Sequence, residues 1–355
     1  MGSFAGWQVP ISYEGILKEW EHVRLLAGLF DISHMGRIVV SGEGALSFLD
    51  TMVTRNLRIL PKGKVAYALL LEAGGGILDD LTVYRIDNDL WFLCVNAAHT
   101  EAVFRHLCSF VPPGVRIDRN EVYPIQLALQ GPMAEEVLLS FCKDHETAIR
   151  SLPYYGWVMV PIVGSTTLVS RTGYTGEDGF ELYFPDRAHA EGFLEAVLQA
   201  KGRTFGGLCG FGVRDVLRLE AGYALAGTDF DRQTTPIEAR LEFAVHLDKP
   251  HFIGKEALVV RKQEGPKLRR VGFIAESSRI PREGYQVHLD GANVGRVTSG
   301  TYSPFRRCGV AMGYMPTRLS SPGLAVLLTD GMHVAIPAKT TSLPFYPPRT
   351  KKEKG

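Results

Sequence analysis

From about residue 268 onward the sequence breaks into short apolar runs punctuated by glycine: RRVGFIA, YQVHLDG, ANVGRVTSG, GVAMGYM and LAVLLTDGMHVAIPAK. The runs are strand-length, and turn-forming residues separate them, so they must pair as strands. Short strands at this spacing close most readily as an antiparallel barrel, and residues 263–355 are expected to form a C-terminal β-barrel domain. The chain before that point has a different order. GILKEWEHVRLLAGLF reads as an amphipathic helix with a glycine stop at Gly28. GRIVVSG is a strand and GALSFLDTMVT a helix. VAYALLLEAGGGILDDLTVYRI holds two strands joined by a glycine turn, DLWFLCVN is another strand, and HTEAVFRHLCSF is a helix. Further on, IQLALQG and STTLVSRTG read as strands, and AHAEGFLEAVLQAK and GVRDVLRLEAGY as helices. This is not the regular alternation of a doubly wound sheet, so the fold class is α+β.

Composition narrows the function. A chain of 355 residues, 45% hydrophobic, can support more than one core. A formal net charge of +1 gives no overall field to hold nucleic acid or an anionic membrane. No apolar stretch approaches the roughly 20 residues of a membrane helix. The opening MGSFAGWQVP lacks a signal-peptide pattern, so the chain is expected to be intracellular, and the final KKEKG reads as a solvated tail. Cys94, Cys108, Cys142, Cys209 and Cys308 are odd in number and form no CxxC, and are expected to be reduced core residues. The histidines show no metal-binding spacing, and no metal is expected.

GGGILDDLTVYR, residues 74–85, sets two carboxylates side by side at the mouth of a strand. Alternation sends them to opposite faces. Ile77, Asp79, Leu81 and Val83 form a mostly apolar face. Leu78, Asp80, Thr82 and Tyr84 form the other, where acid, hydroxyl and phenol can line a polar pocket. Asp80 is therefore the functional candidate, and Asp79 is expected to cap amides of the glycine turn. The plainer alternative makes both aspartates turn residues.

SRTGYTGEDGFELYFP, residues 170–185, surrounds Tyr174 with glycines and acids, then places Glu181 inside an aromatic strand. A carboxylate there needs partners. A heterocycle offering N–H and NH2 would serve, and so would an arginine. In VRDVLRLEAGY, Arg214 and Arg218 share a helix face and Tyr223 follows at its end. Such charges are ordinarily solvated.

Together FAGWQVPISY, VRLLAGLFDISHMG, GGILDDLTVYR, SRTGYTGEDGFELY, RDVLRLEAGYALAGTDFD, TTPIEA, FIGKEAL, GRVTSGTYSP and VAMGYM closely resemble the aminomethyltransferase family, the T-protein of the glycine cleavage system. The motifs keep the family's order from residue 4 to about 347. The resemblance implies a three-domain, cloverleaf-like folate-binding fold: residues 1–37 with 121–225, residues 38–120 with 226–262 carrying the catalytic aspartate, and the barrel at 263–355. It implies transfer of the methylene carbon from an aminomethylated lipoyl arm of H-protein to tetrahydrofolate, giving 5,10-methylenetetrahydrofolate and ammonia. P-protein and L-protein are the implied functional partners. The implied compartment is the bacterial cytoplasm, or the mitochondrial matrix in a eukaryote. Carried over by motif, Asp80 lies at the reacting folate nitrogens with Tyr67 and Tyr84 near it. Glu181 holds the pterin edge with Tyr174 close by, and Arg214 and Tyr223 line the same pocket.

The chain departs from the family in places. FAGW comes almost at once, where relatives carry a preceding helix. Phe243 stands where they often have tryptophan. The ending after LPFYPPR differs, so no C-terminal folate contact is assigned; Tyr346 and Arg349 are its candidates. Two other readings belong to the same superfamily. A folate-binding accessory protein would carry a KGCYxGQE-like motif, and this chain reads TTPIEARLEF there. A folate-dependent demethylase would work beside a separate flavoprotein.

Overall fold

The computed structural model describes residues 1–119, 123–199 and 202–350; the KKEKG run lies outside them. The chain gathers into two compact units. One is built from Met1–Ala68, Asp79–Arg214 and the end from Arg349, the other from Leu69–Leu78 and Asp215–Pro348.

The first unit holds one sheet and most of a second. In the six-stranded sheet the order is Trp157–Ile162, Ser165–Ser170, Gly179–Phe184, Ile125–Gln130, Gly28–Asp31 and Gly207–Leu208, antiparallel except for the last pair. Alternation along Gly179–Phe184 explains its double burial. Phe180, Leu182 and Phe184 join Leu127, Leu129, Leu138, Phe193 and others in one core, while Tyr183 points to the opposite face. That opposite face meets the second sheet, ordered Val65–Leu71, Ile77–Arg85, Leu90–Val95, Gly36–Ser41 and Arg116–Arg119. Tyr84, Phe92, Cys94, Leu168 and Tyr183 pack together there. Their rings meet edge-on or tilted at 5.2–5.7 Å between centroids, the arrangement that aromatic quadrupoles favour.

One expected boundary is wrong. The first helix is Ile16–Leu25, and Gly28 does not stop it but opens the strand Gly28–Asp31. A side chain at Gly28 would lie 2.5 Å from Cys209 Sγ and 2.8 Å from Val23 Cγ2, so the glycine serves close packing. The cysteines are unpaired, but not all are core residues: Cys108 is exposed and Cys308 only half-buried.

In the second unit, the barrel is closed. Its order is Leu268–Ala275, Cys308–Pro316, Ala292–Ser303, Gln286–Leu289, Ala325–Thr329 and Ala335–Thr341, and the last strand pairs back to the first. Val271, Phe273, Val287, Val297, Ala311, Leu328 and Ile336 fill it. The neighbouring helix Phe211–Glu220 supplies Arg218, which is buried rather than solvated. It donates to Asp229, whose carboxylate also accepts from Ser299 Oγ at 2.6 Å and Leu225 N at 2.9 Å.

Candidate active site

Asp79 and Asp80 lie in the strand Ile77–Arg85, whose burial follows the expected alternation: Ile77, Asp79, Leu81 and Val83 are all buried, Asp80 and Thr82 half-buried. Asp79 does not cap the glycine turn. The turn closes on its own backbone, Gly75 N to Glu72 O at 2.8 Å and Glu72 N to Gly76 O at 2.9 Å. The Asp79 carboxylate turns instead to the segment after the strand Leu90–Val95. It accepts from Asn96 N at 3.1 Å and Asn96 Nδ2 at 2.9 Å, and pairs with His99 Nδ1 at 2.8 Å. Asn96 Nδ2 also reaches Asp80 Oδ1 at 2.7 Å and Asp80 O at 3.0 Å. Tyr67, on the adjoining strand Val65–Leu71, hydrogen-bonds the same Asp80 carboxyl. Burial, reinforced by the charge of Asp79, raises the Asp80 carboxyl to about 7 against the pull of Tyr67 and Asn96. Burial also pushes the Tyr67 phenol well up, and Asp80 adds to it.

Glu181 is half-buried and stands in a closed ring of hydrogen bonds. Tyr183 Oη donates to Glu181 Oε2 at 3.1 Å and lies 2.8 Å from Tyr84 Oη. Tyr84 Oη is 3.1 Å from Ser170 Oγ, which is 2.7 Å from Thr172 Oγ1, and Thr172 returns to Glu181. Gln126 Nε2 braces the ring from the strand Ile125–Gln130, donating to Tyr183 Oη at 2.9 Å. Burial raises the Glu181 carboxyl, and the Arg214 charge opposes the rise.

The Arg214 guanidinium lies 5.0 Å from the centre of the Tyr174 ring, close enough for a cation–π contact. Burial lowers Arg214 while Glu181 counters it. The loop presenting Tyr174 is fixed from both ends. Arg171, buried, pairs with Asp178 and Glu135. Glu177, also buried, takes Arg24 Nη1 at 2.9 Å and the Arg349 guanidinium at 2.9 and 3.1 Å. Thr175 Oγ1 donates to Gln130 Oε1 at 2.9 Å. The acids of this motif therefore anchor the loop, apart from Glu181, whose partners are mostly neutral hydroxyls. Tyr174 also acts electrostatically on Tyr67, which hydrogen-bonds Asp80, while Arg214 lies against Tyr174 and acts on Glu181. A site with two half-buried acceptors, half-buried phenols and a guanidinium suits a flat polar heterocycle that donates N–H bonds.

Comparison with known proteins bears on the family. Residues 1–249 match the model of the GCVT N-terminal domain, and residues 269–347 that of the glycine cleavage T-protein C-terminal barrel domain. The chain belongs to the glycine cleavage T-protein family. Within this family it is 40% identical over 322 residues to the aminomethyltransferase of Caldanaerobacter subterraneus subsp. tengcongensis, covering 90% of this chain and 85% of that protein. It is 40% identical over 344 residues to that of Halothermothrix orenii, covering 96% and 94%. The crystal structure of glycine cleavage system aminomethyltransferase T from Bartonella henselae superposes with a TM-score of 0.89 at 35% identity, over 99% of this chain and 95% of that one.

Of the residues expected at the site, Asp80, Tyr67, Tyr174, Glu181 and Arg214 all lie in the first unit and connect as described. Tyr84 is in that unit too, but fully buried, its hydroxyl spent on Ser170 and Tyr183. Tyr223 belongs to the second unit, where it follows the helix Phe211–Glu220 and its N–H bonds Arg218 O at 2.9 Å. Tyr346, in the second unit, packs its ring against Phe305 at 4.9 Å, and Phe243 is exposed. Arg349 is occupied by Glu177. Asn96, His99, Gln126, Thr172 and Tyr183 were not singled out in the sequence. His34 of the DISHMG motif is also close to Arg214: burial, then the Arg214 and Arg37 charges, lower it to about 3, so it is a neutral ring, tilted against Phe211 with centroids 4.7 Å apart.

Proposed function

We infer that this chain is an aminomethyltransferase that moves the methylene carbon of an aminomethyl group from the lipoyl arm of H-protein to tetrahydrofolate. The products are 5,10-methylenetetrahydrofolate, ammonia and the dihydrolipoyl arm, and the chain works alongside P-protein and L-protein. The three-domain division given above belongs to this reading. The observation that carries it is Asp80: a half-buried carboxyl fixed between Tyr67 and Asn96 and titrating near neutral pH, within a chain that matches the family almost end to end.

Two N–H bonds of the folate are lost in the reaction. One proton leaves with ammonia and the other with the dihydrolipoyl thiol, so a group able to hold a proton in transit is needed. A carboxyl titrating near the working pH suits this, because both of its forms are populated. In its charged form Asp80 also stabilises the cationic methylene centre formed as ammonia departs. Glu181 orients the substrate by accepting from the pterin edge. Arg214 favours the charged form of Glu181 against its burial, and Tyr174 and Tyr67 supply flat walls.

The test is release of ammonia and formation of methylenetetrahydrofolate from aminomethylated H-protein, for the wild type and Asp80→Asn. Wild-type turnover with a loss of roughly 10²–10³-fold in the variant supports the reading. Tetrahydrofolate binding without wild-type turnover would sink the transferase assignment.

A further inference from the structure

Asp79 is fully buried, one residue from Asp80, and faces away from the site. A buried carboxylate with no charge partner would be costly. Its partner is His99, whose Nδ1 lies 2.8 Å from Asp79 Oδ1 and whose side chain is 25% exposed, so the imidazole reaches toward solvent. Asn96 links the two sites rigidly. Its backbone N–H and Nδ2 hold Asp79, and the same Nδ2 holds Asp80 Oδ1 at 2.7 Å. The two partners of Asp79 come from one short segment, since Asn96 precedes the turn Ala97–His99 that leads into the helix Thr100–Ser109.

We propose that Asp79 and His99 are a charge pair that governs the proton affinity of Asp80, with Asn96 as the link that keeps the geometry constant. It rests on the role given to Asp80 above. The groups acting on Asp80 are Asp79 on its own strand, Asn96 on the segment after the next strand, and Tyr67 on the strand before; His99 acts on Asp79. Tyr155 and Tyr174 act through Tyr67. Among these, Asp79 opposes the charged form of Asp80, and His99 offsets Asp79. With His99 protonated the pair is neutral and Asp80 ionises more readily. Burial also raises the Asp79 carboxyl, and His99 and Asn96 counter it; without the His99 proton the charge of Asp79 is no longer offset, and Asp80 holds its proton to higher pH. Asp79, His99 and Asn96 are positioning residues, none of them in the site itself.

The two members of the pair make opposite predictions, which a structural role would not. In the full-length protein, His99→Gln keeps a hydrogen-bond donor and removes the group that can carry a cation. The acid limb of the kcat/KM–pH profile should move up by about one unit, a roughly tenfold loss at pH values below the limb. Asp79→Asn removes the opposing charge and should move the limb down by a similar amount. His99→Lys should restore it. The carbon-13 titration of the Asp80 carboxyl, followed by NMR without substrate, should shift in the same directions, with melting temperatures confirming that each variant is folded. Limbs and titrations that stay put, or that move the same way in both variants, overturn the proposal. If Asp80→Asn retains full turnover, the role of Asp80 falls, while the NMR titration still decides the pair.

Discussion

Adjacent carboxylates are tolerated here because the strand sends them to opposite faces, gives each a partner of its own, and lets Asn96 bond both. Asp79 has His99 and two donors on Asn96; Asp80 has Tyr67 and the remaining reach of Asn96. The arrangement has a consequence for stability. Asp80 titrates at 3.8 in the unfolded chain and at about 7 in the folded one. Between those values the folded protein binds a proton that the unfolded chain has released. Stability therefore falls as pH rises through that window, and the full penalty is present above about 7. Asp80→Asn lacks the titrating group, and its amide still accepts from Asn96. At pH 8 it should be more stable than the wild type by on the order of 1–2 kcal/mol, even as turnover collapses. The advantage should shrink toward zero near pH 4. Thermal melts at both pH values check this, and an equal difference at the two would assign the effect to packing instead of charge.

Among the elements, legibility followed distance along the chain. Strands and helices set by local periodicity fell where the apolar pattern put them, including the barrel and the hairpin at the glycine turn. Asp80 was legible because alternation within one strand separates it from Asp79. Tyr84 sits on the same face, yet its hydroxyl is enclosed between the two sheets, because its partner Tyr183 is 99 residues away. No local pattern can encode that meeting. Asn96 and His99 were missed for the same reason: CVNAAHT reads as the end of a strand and the start of a helix, and its link to the aspartates is made only by sheet pairing. Gly28 looked like a stop because glycine often is one; only the approach of Cys209 shows its purpose. The ring through Glu181 therefore gives an element-level prediction. Tyr84→Phe keeps the aromatic packing but leaves Ser170 and Tyr183 each short of a partner. Glu181 loses its brace, not its charge. Tetrahydrofolate affinity should weaken roughly three- to tenfold, the equivalent of one neutral hydrogen bond, with kcat little changed. Titration calorimetry with tetrahydrofolate is the measurement, and unchanged affinity would detach Tyr84 from the site.

At the level of the whole molecule the first unit is discontinuous, and its last piece is fastened by charge. Arg349 returns to the loop that presents Tyr174, where its N–H bonds Gly176 O at 2.7 Å and its guanidinium takes both oxygens of Glu177. The same guanidinium donates to Arg24 O at 2.8 Å across a sequence separation of 325 residues. Glu177 and Arg24 are both nearly inaccessible, so the acid is shared between two cations in a dry setting. Arg349 itself is half-exposed, and water can replace part of what it supplies. Removing it leaves the Arg24–Glu177 pair intact but underbonded. Arg349→Ala should therefore destabilise the first unit by only about 1 kcal/mol. Its clearer mark should be local: faster amide hydrogen exchange in peptides covering Thr175–Glu177 and His22–Leu25, with the barrel strands unaffected. Arg349→Lys keeps the charge but cannot span both carboxylate oxygens, so it should fall between the two. Because that loop carries Tyr174 and leads into the Glu181 strand, the Ala variant should also bind tetrahydrofolate more weakly, in step with the exchange rate at Thr175. Exchange that rises with no change in binding would show that the clasp serves the fold and leaves the site alone.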